Sequence, residues 1–566
     1  MSARGPVEGD RLLSSLDEDQ LEAVSVPLTV PRITVRAPPG SGKTRVLAAR
    51  VVLLIRLRGV LPHRIRVLVF SRAAAGELRE RIGASIGAEI AAMVDITTIH
   101  ALAFRVVATS SAGDAPDVAD ESESDAILKG LFMGTERRTE ARATNITSVR
   151  RLATRYAAGL ASPDMLAEAK VLQQWALRLA DAGLVALWQL MPTAALMAKD
   201  PANERARKVL ELDRGFVLVD EAQDLTPLEA CMLETMNAQQ VFQVCDPDQA
   251  IFGWRHATGP YGADAGQQVE LRTTYRFGRS IAAIANTVID RRAAIMCAAP
   301  EESRVVKHRE EQSTEGMLGM ALQIVSDIAM SDVAVLTRTH READAIAARL
   351  PGISYRPQTA VPACVRVAMR LARLILRPRH PRAFAAVARD AGLPDSVVFK
   401  ALSDAGVGGE PIASYEAALA REDVPHPLLL TARVAKRESP WRDLVWTTWS
   451  ILTGPDGATE DMRPPGTPEL AECSIEDAVR SAADILHEAG ADQRAAASAG
   501  KVTVSTIHAA KGREWPVVLL ALSKTWPAEP NWVTLDAEER RVIYVGITRA
   551  KRLLVTYNAA ETGGLR

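Results

Sequence analysis

The chain contains an octapeptide whose residue types and spacing suit phosphate binding, Ala37-Pro38-Pro39-Gly40-Ser41-Gly42-Lys43-Thr44. A β-branched run precedes it, and an apolar helical pattern follows it from near Val46. Gly40 and Gly42 let the backbone bend so that its N–H groups converge on phosphate oxygens. Lys43 would contact the β- and γ-phosphates, and Thr44 would place its hydroxyl on Mg²⁺. The alternative is a Gly/Pro-rich turn that matches by chance, and the loop alone indicates only a nucleoside triphosphate.

Two acidic residues follow a buried-strand pattern further along the chain, Phe216-Val217-Leu218-Val219. Asp220 would hold Mg²⁺ through its water shell. Glu221 would accept a proton from the water that attacks the γ-phosphate, or orient that water. Paired acids after a strand are a weak signal alone, but together with an upstream phosphate loop they predict a nucleotide-hydrolysing site.

Three further polar residues suit the same nucleotide. Gln249 follows another strand pattern and can bond a γ-phosphate or its attacking water. Arg549 is expected at a helix start after an apolar strand, where a cation reaches across a cleft to a γ-phosphate held by another domain. Gln20, near a predicted helix start, can read a donor and an acceptor on the edge of adenine. By residue type alone, a position on the exposed surface is the more common setting for both Gln20 and Arg549.

Other residues have the chemistry of nucleic-acid binding. Trp254 beside Arg255 suits stacking on an unpaired base together with pairing to phosphate, with ordinary core packing as the alternative for the tryptophan. His100 follows a predicted strand, where ligands gather in parallel sheets, yet a structural histidine suits the pattern as well. A stripe of arginines at helical spacing suits either a nucleic-acid backbone or a solvated face: Arg366, Arg370, Arg373 and Arg377.

The length and composition of the chain limit the number of domains, the kind of nucleic-acid contact and the cellular location. A chain of 566 residues predicts three or four domains, and its net charge of −1 means that nucleic-acid contacts must come from local patches. Five scattered cysteines without zinc spacing favour a reducing, cytoplasmic location. No apolar signal core and no membrane-spanning run occur, so we expect no membrane partner.

Buried-strand patterns alternate with helical patterns along much of the chain, which predicts an α/β fold. The residues from about 105 to 205 interrupt this alternation with an Ala- and Arg-rich helical pattern, and a second helical stretch runs from about 361 to 495. Between the two, Leu271–Arg276 opens a second α/β unit, whose strand patterns include Asp332–Leu336 and Lys501–Ser505.

Taken in order, these stretches resemble seven separated motifs of the UvrD/Rep-like helicases of superfamily 1, from Leu16 to Ala550. The matching stretches are Gln20, Ala37–Thr44, Asp220–Asp224, Asp246–Arg255, Tyr275-Arg276, His508–Trp515 and Tyr544–Ala550. The resemblance implies two RecA-like P-loop motor domains, each with a mainly helical inserted subdomain. The implied boundaries are 1–104 and 206–265 for the first motor domain with insertion 105–205, and 266–360 and 496–566 for the second with insertion 361–495.

The resemblance also implies roles for single residues. Its nucleotide residues are the octapeptide with the adjacent Arg45, Gln20 as the adenine reader, Tyr275 stacking on adenine, Arg276 and Arg549 at the γ-phosphate, and Glu514 coupling the nucleotide state to the grip on DNA. Its DNA residues are Thr98, His100, Trp254, Arg255 and His508. ATP and Mg²⁺ are the implied cofactors, and single-stranded DNA and single-strand/duplex junctions are the implied partners, with 3′→5′ movement. The sequence identifies no protein partner.

Four positions depart from the pattern of the family. Arg72 and Ala73 stand where relatives usually have an Asn-Lys pair, so a DNA contact is expected to be lost or moved there. Thr274 replaces a usual asparagine and Cys245 a common glycine; neither removes a phosphate ligand, so ATP hydrolysis is expected to survive. The chain ends soon after the last motif, which predicts the absence of a long C-terminal extension or an appended nuclease.

The sequence thus predicts an ATP-dependent DNA helicase. Two alternatives stay open at this stage: a DNA-stimulated translocase that displaces proteins with little unwinding, and a regulatory NTPase that acts through a protein partner. The Arg72-Ala73 departure favours the second alternative, whereas Trp254 and the stretch His508–Trp515 argue against it. A nucleotide kinase would not need remote arginine motifs together with Trp254.

Overall fold

The computed structural model describes most of residues 11–355, 363–453 and 500–559. It also describes 474–475, and the gaps of four or more residues within the three longer spans are 111–115, 120–123, 133–143, 161–165, 405–409, 419–425 and 527–530. The chain forms two compact units, residues Met1–Leu350 with Val504–Arg566, and Pro351–Thr503. None of the described helices is long and apolar enough to cross a membrane.

A six-stranded sheet forms the core of the first α/β domain, and every pairing in it is parallel. The order of its strands is Asp95–Thr98, Ile65–Val69, Phe216–Val219, Gln240–Cys245, Arg32–Arg36 and Gln267–Glu270. Alternate residues enter two separate cores: Ile33 and Val67 pack on one face, and Leu68 and Val217 on the other. This alternation is expected for a parallel sheet covered by helices on both faces.

A second sheet forms the core of the second α/β domain, in the same unit. Its strands in this unit lie in the order Arg304–Gln312, Ala550–Ala559, Trp515–Leu522 and Val333–Thr337, followed by the part of the strand Val502–Thr506 that begins at Val504. A core that contains Phe277, Val518 and Tyr544 covers this sheet. In the other unit, Ser354 and Tyr355 pair in parallel with Val502 and Thr503.

The helices of the first α/β domain are Arg11–Ser14, Glu18–Ser25, Lys43–Arg56, Arg72–Ile86, Ala88–Ala92, Ile99–Ser110 and Pro227–Thr235. Between its third and fourth strands in chain order come Ile146–Ala157, Leu166–Ala180, Leu187–Lys199 and Glu204–Leu210. The second α/β domain has Arg279–Val288, Thr314–Ile324, His340–Arg349 and Ala537–Ile547. The unit Pro351–Thr503 has Ala363–Leu376, Pro381–Asp390, Pro411–Ala418, Pro427–Val434 and Trp441–Thr453.

Three expected boundaries differ from the structure. The strand Gln267–Glu270 pairs with Arg32–Arg36, so the first α/β domain extends beyond 265. The residue pattern does not predict this strand, because only Val269 of its four residues is buried, as in a polar edge strand. The boundary at 104 falls inside the helix Ile99–Ser110, and that at 205 falls inside Glu204–Leu210.

Of the four arginines in the predicted stripe, Arg377 lies outside the described residues and the side chain of Arg366 is not described. Arg370 Nη1 donates to Asp390 Oδ1 at 2.7 Å, which joins the helices Ala363–Leu376 and Pro381–Asp390 within their own unit. Arg370 therefore has a structural partner.

One fully buried arginine connects the elements around the phosphate loop. Arg50, on the helix Lys43–Arg56, donates to the carbonyl oxygens of Val24 and Val26, where the helix Glu18–Ser25 ends. It also donates to Gln240 Oε1 at the start of a central strand. Burial, together with Arg58, lowers the pKa of Arg50 to about 10, which leaves it charged at neutral pH. The helix that carries Gln20 is thus anchored to the helix that follows the phosphate loop.

Replacing this arginine should destabilise the protein. Arg50→Ala leaves three buried acceptors without their donor, and we expect the free energy of unfolding to fall by about 3 kcal/mol. Urea unfolding of the purified chain measures this change. Arg56→Ala, at the exposed end of the same helix, is the matched control and should cost about 1 kcal/mol or less. Equal losses in the two variants would contradict the anchoring role.

Candidate active site

The phosphate loop has the backbone geometry that its glycines predict. Gly40 and Gly42 have φ angles of 76° and 84°, in the left-handed region that favours glycine, and the helix begins at Lys43. The ammonium of Lys43 lies 3.4 Å from the carbonyl oxygen of Ala37, and Ser41 Oγ donates to the carbonyl oxygen of Pro38 at 2.8 Å. The loop therefore folds around its own lysine at the end of a central strand.

The segment that opens the second α/β unit packs directly on this loop. Thr274 Oγ1 donates to the carbonyl oxygen of Pro39 at 2.7 Å, and Tyr275 N donates to that of Gly40 at 2.9 Å. A Cβ on Gly40 would lie 2.3 Å from Arg276 Cβ, so only glycine allows this approach. Thr274, which departs from the family pattern, thus keeps a hydrogen bond to the phosphate loop.

Gln20 and Tyr275 come together on one side of the loop. Gln20 is buried, and its Nε2 donates to the carbonyl oxygen of Ser41 at 2.9 Å. The ring of Tyr275 is 40% exposed, and its hydroxyl donates to Asp17 Oδ2 at 2.5 Å. Burial and Asp17 raise the pKa of Tyr275 to about 12, so the ring stays neutral. The half-exposed ring beside a buried amide suits an adenine.

A pair of residues that the sequence did not single out holds this side together. Asp19 accepts three hydrogen bonds from Arg272, one from its backbone N and two from its guanidinium. The hydrogen bond from Arg272 lowers the pKa of Asp19. The predicted nucleotide residue Arg45 donates to the carbonyl oxygen of Ser15 at 2.6 Å, beside the same helix. A short-range pattern cannot reveal Asp19–Arg272, because 253 residues separate the partners.

Asp220 and Glu221 follow their strand as expected. Glu221 has a φ of 47°, a strained left-handed conformation, and Gln223 Nε2 donates to its Oε2 at 2.5 Å. Burial and the neighbouring Glu221 raise the pKa of Asp220 to about 7. Burial opposes ionisation of Glu221, yet the charges of Lys43 and Lys511 lower its pKa overall. Glu221 is therefore the ionised member of the pair.

The residues present suit a magnesium ion. Thr44 and Asp220 offer hard oxygen ligands, and Mg²⁺ usually takes one or two such ligands and completes its shell with phosphate oxygens and water. Asp220 and Glu221 are adjacent, partly buried acids, and a divalent cation would offset their negative charge. Within the described residues, no group of three or more His, Cys, Asp or Glu side chains is placed to hold a metal ion.

Gln249 and Arg549 meet across the two α/β domains. Arg549 Nη2 donates to Gln249 Oε1 at 2.9 Å, and Gln249 Nε2 donates to Asp246 Oδ2 at 2.7 Å. The remaining bonds of the guanidinium go to the carbonyl oxygens of Arg513 and Val545, both at 3.1 Å, and to a neighbouring hydroxyl. Burial and the charge of Arg276 lower the pKa of Arg549 to about 9.

The expected local structure of Arg549 was wrong. It follows the end of the helix Ala537–Ile547 and precedes the strand Ala550–Ala559, instead of starting a helix after a strand. The last six residues of that helix, 542–547, are all buried, and such an unbroken apolar run has no helical periodicity.

Arg276 and Glu514 form a second charged group at the same cleft. Arg276 Nε lies 2.5 Å from Glu514 Oε2, and Arg276 Nη1 donates to the carbonyl oxygen of Thr548 at 3.2 Å. Lys551 lies 2.5 Å from the other carboxylate oxygen of Glu514. Burial opposes ionisation of Glu514, but these cations lower its pKa overall. Glu514 thus directly contacts Arg276, the residue that the resemblance implies at the γ-phosphate.

Lys511, which the sequence did not single out, also bridges the two domains. Its ammonium lies 2.5 Å from Asp224 Oδ2 and 2.7 Å from the carbonyl oxygen of Gln249. Burial and Glu221 raise the pKa of Asp224 to about 6, against the effect of this lysine. Lys511 also lies 4.7 Å from the ring centroid of Phe252. The same cation therefore contacts an acidic strand end and an aromatic group.

Aromatic side chains cluster beside the acidic site. Trp254 is 61% exposed, so the core-packing alternative is excluded. Its ring meets that of Phe252 edge-on at 6.3 Å, and Phe252 stacks on Phe70 at 5.7 Å. His508 lies 6.4 Å from Phe252. We call Phe70, Phe252, Trp254 and His508 the aromatic cluster.

Arg255 lies beside the aromatic cluster. Its guanidinium lies 5.5 Å from the ring centroid of Phe70 and 3.6 Å from Glu229. Phe70 is not among the predicted DNA residues, although a large apolar residue directly after a fully buried strand is a usable signal for it.

A cavity of about 70 Å³ connects this region to the paired acids. Its lining includes Thr98 and His100 together with Arg255, Asp220 and Glu221. Thr98 Oγ1 accepts a hydrogen bond from the backbone N of Ala101, and burial lowers the pKa of His100, which favours its neutral form. Thr98, His100 and Arg255 thus line one cavity with Asp220 and Glu221, whereas Trp254 and His508 lie against Phe252.

The remaining departures have simple structural outcomes. Arg72 begins the helix Arg72–Ile86, and Ala73 is exposed and offers no polar group. Cys245 is buried, and burial with Asp246 raises the pKa of its thiol to about 12. Its carbonyl oxygen accepts a hydrogen bond from Ala37 N at 2.9 Å, so this position supports the phosphate loop through its backbone.

Comparison with known proteins gives matches over both α/β domains. The model of the UvrD/REP helicase N-terminal domain matches residues 16–261, and that of the UvrD-like helicase C-terminal domain matches 470–560. ATP-dependent DNA helicase UvrD2 of Mycobacterium tuberculosis is 26% identical over 96% of this chain and 79% of that protein. ATP-dependent DNA helicase Rep of Escherichia coli is 25% identical over 92% and 87%, and DNA helicase II of Salmonella typhimurium is 26% identical over 97% and 85%.

The close approach at Gly40 predicts a selective loss of hydrolysis. In Gly40→Ala the new Cβ must displace Arg276 and Thr274, and we expect the ATPase kcat to fall at least about 100-fold. Steady-state ATP hydrolysis measures this. Gly59→Ala is the control, because Gly59 also has a positive φ but nothing lies within 4 Å of a Cβ there. It should cost about 1 kcal/mol of stability and leave hydrolysis intact. Similar kinetics in both variants would exclude the steric argument.

Proposed function

Since the chain belongs to the UvrD/Rep-like family of helicases, we propose that it couples ATP hydrolysis to 3′→5′ movement along single-stranded DNA and unwinds duplex DNA at single-strand/duplex junctions. The two α/β domains would act as its RecA-like motor domains. ATP would bind in the cleft between them, and DNA would bind over the aromatic cluster.

The observation that carries this proposal is the hydrogen bond between Arg549 and Gln249. Gln249 follows a strand of the first sheet, and Arg549 precedes a strand of the second sheet. The phosphate loop and the paired acids lie in the first α/β domain, so this bond brings an arginine of the second domain to the hydrolytic site. A kinase or a switch protein with a single α/β core has no use for this contact.

The residues of the first domain would bind and activate the nucleotide. The backbone N–H groups of the loop from Ala37 to Thr44 would hold the phosphates, and Lys43 would contact the β- and γ-phosphates. Thr44 and Asp220 would hold Mg²⁺, which when bound neutralises charge on the phosphates. Glu221, the ionised acid, would accept a proton from the attacking water.

The residues of the second domain would report the γ-phosphate. Arg276 and Arg549 would bridge to it, so ATP would favour the closed cleft and hydrolysis would release it. A ligand shifts such an equilibrium by its differential affinity for the two states. Glu514 bonds to Arg276, and Lys511 joins the acidic site to the aromatic cluster, so these residues would pass the nucleotide state to the DNA.

The aromatic cluster would provide the grip on DNA. Stacking of an unpaired base on Trp254 would be worth roughly 1–3 kcal/mol and would tolerate any sequence. Arg255 would pair with phosphate, and Thr98, His100 and His508 would lie along the strand. If the two domains alternate their grip during each ATP cycle, the protein advances along the strand.

The cellular location is part of the same proposal. The three cysteines whose side chains are described, Cys231, Cys245 and Cys297, are free thiols, as expected in a reducing cytoplasm.

Two substitutions test the hydrolytic site. Lys43→Ala removes the phosphate contact and Glu221→Gln removes the proton acceptor, so either should abolish ATP hydrolysis stimulated by single-stranded DNA. Steady-state ATPase assays with and without DNA measure this, and duplexes with a 3′ or a 5′ tail test the direction of unwinding. The proposal would be refuted if either variant still hydrolysed ATP, or if DNA failed to stimulate ATP hydrolysis by the wild type.

A third substitution tests the DNA grip. Trp254→Ala should slow translocation and weaken binding of single-stranded DNA by about 10-fold, the lower part of the stacking range. Hydrolysis without DNA should be unchanged, because Trp254 is exposed outside the nucleotide cleft. Trp254→Phe retains an aromatic face and is the matched control. Unchanged translocation speed in Trp254→Ala would contradict its role.

A further inference from the structure

One buried arginine outside the matched motifs contacts residues of both α/β domains. Arg291 follows the helix Arg279–Val288 of the second domain, and its side chain is only 9% exposed. It lies 3.2 Å from Asp246 Oδ1 and 3.0 Å from Asp248 Oδ2, both just after a strand of the first domain. It also donates to the hydroxyl of Tyr544 at 2.5 Å, within the second domain.

The carboxylate of Asp246 connects Arg291 to Gln249. One oxygen of this fully buried group pairs with Arg291, and the other accepts the hydrogen bond from Gln249 Nε2 at 2.7 Å. A side-chain amide has a donor end and an acceptor end. Because the donor end is held by Asp246, the acceptor end faces Arg549.

Arg291 also supports the other end of that hydrogen bond. Tyr544 lies in the last turns of the helix Ala537–Ile547, and the carbonyl oxygen of the next residue, Val545, accepts from Arg549 Nε. The guanidinium of Arg291 thus holds the carboxylate that orients Gln249 and the helix end that positions Arg549.

The electrostatics require a cation at this point. Asp246 and Asp248 are close in the chain, and burial together with Asp246 raises the pKa of Asp248 to about 6. The pKa of Arg291 is raised by these acids despite its burial, so it stays charged. Without Arg291, the buried Asp246 and the partly buried Asp248 would repel each other beside Gln249.

We propose that Arg291 is a positioning residue for ATP hydrolysis, which sets the orientation of Gln249 through Asp246 when the two domains meet. This inference rests on the proposed function, since it concerns the same hydrolytic site. It adds a contact between the domains that does not require the γ-phosphate itself.

The test compares kinetic constants of the full-length chain in the presence of single-stranded DNA. Arg291→Ala should lower kcat at least about 10-fold, while KM for ATP changes less than about threefold, because the phosphate and adenine contacts stay intact. Arg291→Lys keeps the charge but not the forked geometry, so its kcat should be intermediate. Arg552→Ala removes an Arg–Asp pair within the second domain, to Asp327, and should leave kcat unchanged.

A double-mutant cycle separates positioning from general stability. If Arg291 acts through Gln249, then Arg291→Ala should lower kcat less than about twofold in a Gln249→Ala background. The inference would be overturned if Arg291→Ala lowered kcat by the same factor with and without Gln249→Ala, or if Arg291→Ala alone kept the wild-type kcat. Should Arg291→Ala fail to fold, Arg291→Lys in both backgrounds gives the same comparison. Turnover that survives Lys43→Ala would refute the proposed function instead, so the two failures are distinguishable.

Discussion

The buried charge of Arg549 is the constraint on which the closed arrangement of the two α/β domains depends. A guanidinium away from water is stable only when its donors are paired. The second domain provides carbonyl oxygens and a hydroxyl, and the first domain provides Gln249. Because Gln249 is the one partner that the described part of the first domain provides, the set of partners is complete only when the two domains meet. The lowered pKa of Arg549 reflects how little solvent the site admits.

The nucleotide and DNA residues share the ends of the same strands. Phe70 of the aromatic cluster directly follows the strand Ile65–Val69, and Asp220 directly follows the neighbouring strand Phe216–Val219. The cavity between them is lined by residues of both groups. Adjacent parallel strands deliver the residues that follow them to one edge of a sheet, so Phe70 and Asp220 line the same cavity. Lys511 adds a second connection, from Asp224 to Phe252.

The motifs were predictable because each one is local. The phosphate loop, the acids after their strand and the helix start near Gln20 need only neighbours in sequence, and the structure has them as expected. The errors arose where local pattern is uninformative. The strand Gln267–Glu270 is mostly polar, and the residues before Arg549 form a helix buried on all sides. The Asp19–Arg272 pair and the contacts of Arg291 were not predicted, because each joins segments that are distant in the sequence.

Local residue patterns predicted the chemistry: a phosphate loop, an acid pair, remote arginines and an aromatic residue beside a cation, in the order seen in one helicase family. The tertiary structure was needed to identify the pairings. It placed Arg549 on Gln249, Arg276 on Glu514 and Trp254 at the surface. The physical reason is the sequence distance over which each interaction acts. Glycine conformation, helix capping and strand burial act over a few residues, whereas pairing of a buried charge depends on which distant groups the fold brings within hydrogen-bonding distance.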